Sequence, residues 1–274
     1  MTTPEHDWGG YTTMLARQDG RLLTVSFNRP DRLNAVGGGF HEEFVDILGR
    51  AGRDDSVGAI LLRGEGRSFC VGGDVKGFDE RASGAKPARP AHTVLRTLNA
   101  TALLEAILVV PQPIVAAVHG YAMGLGATVA LLADIVFAAR SAVFADTHVN
   151  MGIGAGDGGQ VIWPLLMGVN RAKYHLMTGD RLTATDAERL GLVNFVVDDG
   201  TVVDEALVLA ARLASGPALA ISASKMGVNY FMRMVSNLVL PVSLSMEERT
   251  IASHDHREAV KAFQEKRSAN FTGR

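Results

Sequence analysis

Gly120-Tyr121-Ala122-Met123-Gly124-Leu125-Gly126-Ala127 is the stretch on which the reading of this chain turns. It follows an apolar run, Ile114 to Val118, of a length that suits a buried strand, and it leads into the apolar run Ala127 to Leu132. A strand that enters a helix through glycines leaves the first helical N–H groups without intrahelical acceptors, aligned with the positive end of the helix dipole. The N–H groups near Leu125 therefore form a place for a negatively charged oxygen. A dinucleotide-binding turn is the competing reading, but Gly124-Leu125-Gly126 lacks the third glycine where Val129 stands, and the segment comes late in the chain.

Working outward, Gly58 to Arg63 reads as another short buried strand. It is followed by Ser68-Phe69-Cys70-Val71-Gly72-Gly73-Asp74-Val75-Lys76, whose paired glycines let a ligand approach the main chain; a plain tight turn is the alternative. Phe40, Phe44, Ile47 and Leu48 have helical spacing and predict a helix from Phe40 to Arg53. Tyr11 to Phe27 reads as two strands around Asp19-Gly20, a dipeptide suited to a hairpin turn. Glu80 to Pro90 reads as a surface loop before a helix from Thr93 to Leu108. Beyond the central stretch, Thr183 and Asp186 form a capping box, Gly191 suits a helix stop, and Asn194 to Val197 is the next strand. From Asp204 onward only helical patterning remains. The expectation is an α/β protein with a core over residues 1–203 and an α-helical region over 204–274.

Composition bounds the rest. A chain of 274 residues that is 47% hydrophobic and 20% charged has ample material for a compact core. The 27 basic residues nearly balance the 29 acidic ones, so no overall field steers the protein to nucleic acid or to an anionic membrane. Cys70 is the only cysteine, which excludes an internal disulfide and any multi-cysteine metal site. The opening residues MTTPEHDWGGYTT have neither a basic start nor an apolar stretch, and the expectation is a cytoplasmic protein.

Four segments together resemble the enoyl-CoA hydratase/isomerase (crotonase) family in order and spacing. They are Asn28 to Ala35, SFCVGGDVK, GYAMGLGA, and a tail from Arg257-Glu258 through Ala262-Phe263-Gln264-Glu265-Lys266-Arg267. The resemblance implies a spiral of ββα units with a helical C-terminal trimerisation region, assembled as a trimer or hexamer. It implies that Gly73 and Leu125 donate the two N–H groups that hold a thioester oxygen. It also implies that Arg32, Leu33 and Ala35 line a coenzyme A channel, that Val71, Val75 and Lys76 lie near the adenine, and that Phe263 and Lys266 reach a neighbouring subunit's ligand. No metal or separate cofactor is implied, coenzyme A being part of the substrate. Lys76 and Lys266 read equally well as solvated surface charges.

The departures from the family pattern concern the acid–base groups. Thr128 and His148 stand where a hydratase of this family carries its two glutamates. His148 is followed by the glycine-rich Gly156-Asp157-Gly158-Gly159, and a carboxylate beside an imidazole both orients it and stabilises its protonated form. The His148/Asp157 pair is therefore the predicted acid–base unit, with an N-cap role for Asp157 at the helix beginning near Gly158 as the alternative. With Trp163-Pro164 the pair also resembles the β-diketone hydrolase branch, in which a carbon–carbon bond is cleaved by water and Glu247 would be the further carboxylate. A third alternative is an inactive acyl-CoA-binding scaffold. His41-Glu42-Glu43 lacks the second histidine of a zinc-protease helix, His254 and His256 read as surface residues, His119 reads as structural, and Cys70 has no basic neighbour to make it a nucleophile.

Overall fold

The structure is a computed structural model that describes residues 6–74 and 90–274, with the side chains of the latter stretch described from residue 97. Val75 and Lys76 lie outside the described residues, as does nearly all of the Glu80 to Pro90 stretch. The large sheet has seven strands in the order β1 (His6–Asp7), β2 (Met14–Asp19), β3 (Leu22–Phe27), β4 (Ala59–Gly64), β5 (Ile114–Val118), β7 (Ile135–Ala139) and β10 (Phe195–Val197). β1 to β3 pair antiparallel, and every pairing from β3 to β10 is parallel. β5 is buried along its whole length, which is why its sequence is a continuous apolar run rather than an alternating one.

Asp19 pairs directly with Leu22, so the hairpin turn is centred on Gly20-Arg21, one residue later than the Asp19-Gly20 expected. Gly20 at φ 56° takes the first central position, where a residue without Cβ is favoured. Helix α1 (Phe40–Ala51) buries Phe40, Phe44, Ile47, Leu48 and Ala51, and Phe40 and Phe44 pack with Phe69 around Phe27 of β3. That aromatic cluster fixes the start of the segment leading to Gly72-Gly73. Helix α2 (Pro90–Val109) covers α1, and helix α3 (Leu125–Leu132) is buried on all sides in the middle of the molecule.

A second sheet of three strands, β6 (Tyr121–Met123), β8 (Val143–Ala145) and β9 (Leu182–Thr183), lies beside the first. Between β8 and β9 come α4 (Gly159–Met167) and α5 (Val169–Thr178), and the short α6 (Ala184–Arg189) follows β9. Thr183 caps α6 by accepting from Asp186 N–H, and Gly191 at φ 86° follows its end. The chain is helical from residue 202: α7 (Val202–Ala214), α8 (Ala218–Ile251) and α9 (His254–Glu265). α7 lies on β4, β5 and β7, burying Ala206, Ala210 and Ala214 at four-residue spacing, so this helix is a layer of the core. α8 runs along α2 and α4. Polar groups anchor it: buried Lys225 donates to Gln112 O and pairs with Asp134, both at 2.8 Å, and Asn229 donates to Leu108 O, near the C-terminal end of α2.

Candidate active site

Two glycine turns are packed against each other at the centre of the molecule. Cys70 N–H donates to Tyr121 O and Met123 N–H donates to Cys70 O, so Phe69 to Gly73 runs beside β6. Glycine is required on both sides. Gly72 sits at φ 80°, and a Cβ there would lie 2.7 Å from Met123 O; a Cβ on Gly126 would lie 2.3 Å from Cys70 O. Gly124 turns the chain at φ 51° immediately before α3. Among the described residues neither Gly73 N–H nor Leu125 N–H has an acceptor, and Leu125 opens α3, where the dipole is positive.

The segment Leu33 to Val36 lies along the same turn. Val71 N–H donates to Leu33 O, Val36 N–H to Gly72 O and Asp74 N–H to Val36 O. Asn34 holds the two together from the inside: it is buried, donates through Nδ2 to Glu65 O and Ser68 O, and accepts from Arg29 N–H. Asn34 and its preceding Leu33 both adopt left-handed φ, which bends the chain around Ser68. Arg32 extends to the surface and pairs with Asp74 at 3.2 Å, as Arg29 does at 3.0 Å. Arg32, Leu33, Ala35 and Val71 are thus brought to one ledge beside Gly73. Phe263 near the end of α9 and Lys266 at its C-cap are exposed to solvent.

His148 is delivered to the second turn by the small sheet. β6 and β8 run in parallel register, Met123 opposite Ala145, and Gly124 N–H donates to Ala145 O. Three residues after Ala145, His148 opens a 3-10 turn that ends at Gly152, which packs without room for a Cβ against the backbone of Asp255 and His256. The imidazole lies over Gly124, whose Cβ position is 3.4 Å from Cε1. Its Nε2 faces Asp157 Oδ2 at 3.2 Å, and its Nδ1 donates to Asp146 Oδ1 at 2.7 Å. The predicted pair is therefore assembled, but with a second carboxylate on the other ring nitrogen. The sequence signal for it was the Asp146-Thr147-His148 step at the end of a strand.

Asp157 does not cap α4. Gly158 at φ 114° occupies the N-cap position with no side-chain cap, and the Asp157 carboxylate is turned to the histidine. Thr128 on α3 is fully buried with its hydroxyl unpartnered among the described residues, and its methyl closes on Gly158. Glu247 of α8 is also buried, its carboxylate packed on Gly156 so closely that a Cβ there would be 2.6 Å from Oε2. Thr128, His148, Asp157 and Glu247 thus surround one short loop.

Burial disfavours the charged form of His148, but Asp157 and Asp146 outweigh it, and the ring's pKa is raised well above its ordinary 6.5. The two carboxylates thus favour the protonated imidazole. Because the folded pKa is the higher one, this group adds stability that is fully present below about pH 6.5 and lost as pH rises through the folded value. Thermal melts of the wild-type protein should therefore fall toward alkaline pH more steeply than those of His148→Gln; equal slopes would contradict the assignment.

The remaining candidates have structural roles in view. His119 Nε2 bonds Gly66 O, and His256 Nδ1 bonds Met151 O. Cys70 is fully buried, and desolvation pushes its thiol up to about 12, which removes it as a nucleophile. Trp163 is a core side chain. Among the described residues no cluster of three or more His, Cys, Asp or Glu is placed to hold a metal ion.

Comparison with known proteins places this geometry in a family. The family model "Enoyl-CoA hydratase/isomerase" matches residues 17–274. The 1,2-epoxyphenylacetyl-CoA isomerase of Escherichia coli is 34% identical over 261 residues, covering 95% of this chain and 98% of that protein. A probable enoyl-CoA hydratase of Rhodobacter capsulatus is 37% identical over 257 residues, covering 92% and 95%. The crystal structure of an enoyl-CoA hydratase/isomerase from Mycobacterium paratuberculosis superposes with a TM-score of 0.86 at 32% identity, covering 93% of this chain and 99% of that one. With nearly its whole length matched and its glycine turns arranged as a paired N–H site, the chain belongs to the enoyl-CoA hydratase/isomerase family.

Proposed function

We propose that this protein acts on an acyl-CoA thioester, binding the thioester oxygen at Gly73 N–H and Leu125 N–H and stabilising the enolate formed when a proton leaves the adjacent carbon. The observation that carries the reading is the packing of two glycine turns that leaves both N–H groups without acceptors among the described residues, one of them at the start of a buried helix. Such donors are fixed before the reaction and strengthen as charge develops on oxygen. Proton exchange at carbon falls to His148 and Asp157. Neither glutamate of a water-adding pair is present, and a single acid–base unit suffices for a proton shift along the acyl chain, so isomerisation is the reaction this site supports best. The ledge of Arg32, Leu33, Ala35 and Val71 is the proposed entry of the coenzyme A arm, and Val75 and Lys76 are proposed to contact its adenine.

A second reading, carbon–carbon bond hydrolysis of a diketone, is favoured by one observation, the buried Glu247 carboxylate against Gly156. Titration calorimetry separates the two: crotonyl-CoA should bind and a free cyclic diketone should not. Binding of the diketone alone would transfer the site to the second reading, and binding of crotonyl-CoA without any turnover would leave the protein an acyl-CoA-binding scaffold.

We propose further that α8 and α9 build a trimer, alone or paired into a hexamer. The polar face of α8 is used inside the subunit, while Leu219, Val228, Phe231, Leu238 and Val242 face outward and Phe263 does so from α9. Apolar area of that extent is stabilised by a partner surface. Light scattering should read a multiple of three chains, and Phe263 and Lys266 then belong to a neighbour's ligand site; a stable monomer with full activity would exclude this.

A further inference from the structure

The two carboxylates that flank His148 differ in ways that matter. Asp146 stands at the end of β8 and is completely buried, while the Asp157 side chain, on the loop before α4, retains 14% exposure. Asp146 Oδ1 accepts from the ring Nδ1–H at 2.7 Å and faces His148's own backbone N–H at 3.3 Å, so one oxygen holds both ends of the same residue. The contact with Asp157 is single and longer, at 3.2 Å. Space around Asp146 is closed: a Cβ on Gly159 would lie 2.3 Å from Oδ2, and that oxygen has no partner among the described residues. A buried carboxylate with one unsatisfied oxygen is costly to keep in place. Here it is held where it faces the histidine.

We propose that Asp146, rather than Asp157, is the positioning residue of this site: it fixes the His148 ring and keeps Nδ1 as the permanently protonated nitrogen. Nε2 is then the exchanging nitrogen, and Asp157 is released from an orienting duty to share the mobile proton. This rests on the reading of His148 as the acid–base group and deepens it. A neutral ring, with Nδ1–H donated to Asp146, takes the substrate proton on Nε2: the C–H bond breaks, its electron pair passes into the enolate, and the Nε2 lone pair makes the new N–H bond. Return of that proton to an enolate carbon breaks the N–H bond, leaves its pair on Nε2, and uses the enolate's electrons for the new C–H bond, so the ring ends neutral with Nδ1–H still donated to Asp146.

Titratable groups packed nearby include Glu247 behind Gly156, Asp255 against Gly152 and His256 on Met151 O, while the charges that shift His148 are Asp157 and Asp146. Just before α3 the Gly124 backbone lies under the ring, and Thr128 of α3 closes on Gly158 of the neighbouring loop. The tautomer of His148 is therefore governed by the two aspartates, and the shorter, drier contact prevails.

The test is a nitrogen-15 NMR titration of the ligand-free full chain, with histidine rings labelled and the His148 signals among the eight histidines assigned by their loss in His148→Gln. In the wild type Nδ1 should stay protonated across the titration, and on raising the pH only Nε2 should lose its proton. Asp146→Asn should lower the titration midpoint by roughly one to two pH units and let the neutral ring place its proton on Nε2. A wild-type neutral ring protonated on Nε2 would overturn the proposal, and needs no variant to observe. So would an Asp146→Asn protein with unchanged midpoint and tautomer. Crotonyl-CoA turnover of the same variant separates this from the functional reading. If the ring behaves as described but turnover is unaffected, Asp146 orients the ring and the acid–base role of His148 is what fails.

Discussion

His148→Gln lowers turnover of an acyl-CoA substrate by about 10²–10⁴-fold, the range for removal of a general acid–base group, while the KM changes little. Glutamine keeps the length of the side chain and can still donate a hydrogen bond to one of the aspartates, so the comparison isolates proton transfer from packing. Alanine is a poorer test, because it leaves Asp146 and Asp157 across a gap with no cation between them, and two like charges brought together raise one carboxyl pKa and loosen the loop. Steady-state kinetics on both variants, beside their melting temperatures, distinguishes the effects. A His148→Gln enzyme with wild-type turnover would move the acid–base role to Glu247 or to Asp157 alone. Thr128→Ala should matter less, since its hydroxyl has no proton to exchange near neutral pH and can only position a water or an acyl group.

The second large effect is expected from a backbone substitution. Leu125→Pro deletes the N–H proposed to hold the thioester oxygen, at the first position of a helix, where proline's fixed φ is compatible with the helix and the missing N–H breaks no intrahelical bond. Turnover should fall by roughly 10²–10³-fold, the cost of one oxyanion donor, and Leu125→Ala should be far closer to wild type because it keeps the N–H. Equal losses in the two variants would mean that the side chain, 5% exposed and packed in the core, rather than the backbone, carries the effect.

Much of this was legible in the sequence because it is local. The helix from Phe40 declares itself in four apolar residues at helical spacing, β5 in five apolar residues between Pro113 and His119, and the two glycine turns in residues such as Gly72 and Gly126, where a Cβ would collide with backbone. What was not legible depends on contacts made across the chain. Asp146 reads as a polar residue at a strand end until β6 and β8 pair and bring Ala145 to Gly124; only then is the next side chain seen to lie under the histidine. Asp157 before two glycines has the sequence of an N-cap, but Gly158 takes that position and the Asp157 carboxylate faces His148. Asn34 is one polar letter in a loop, and its hold on Glu65 O and Ser68 O is a tertiary fact. The first helix after residue 202 is part of the sheet's cover because three alanines at four-residue spacing let it approach the strands, a pattern present in the sequence but indistinguishable there from a surface helix.

The central claim is that an acyl-CoA loses and regains a proton beside its thioester carbonyl in this site. Incubating the enzyme with crotonyl-CoA and with 3-butenoyl-CoA in deuterium oxide, and reading deuterium in the recovered thioesters by mass spectrometry, tests it most directly. The account predicts interconversion of the two thioesters with deuterium incorporated, strongly slowed in both Leu125→Pro and His148→Gln. Recovery of both thioesters unexchanged, with a cyclic diketone cleaved under the same conditions, would contradict it.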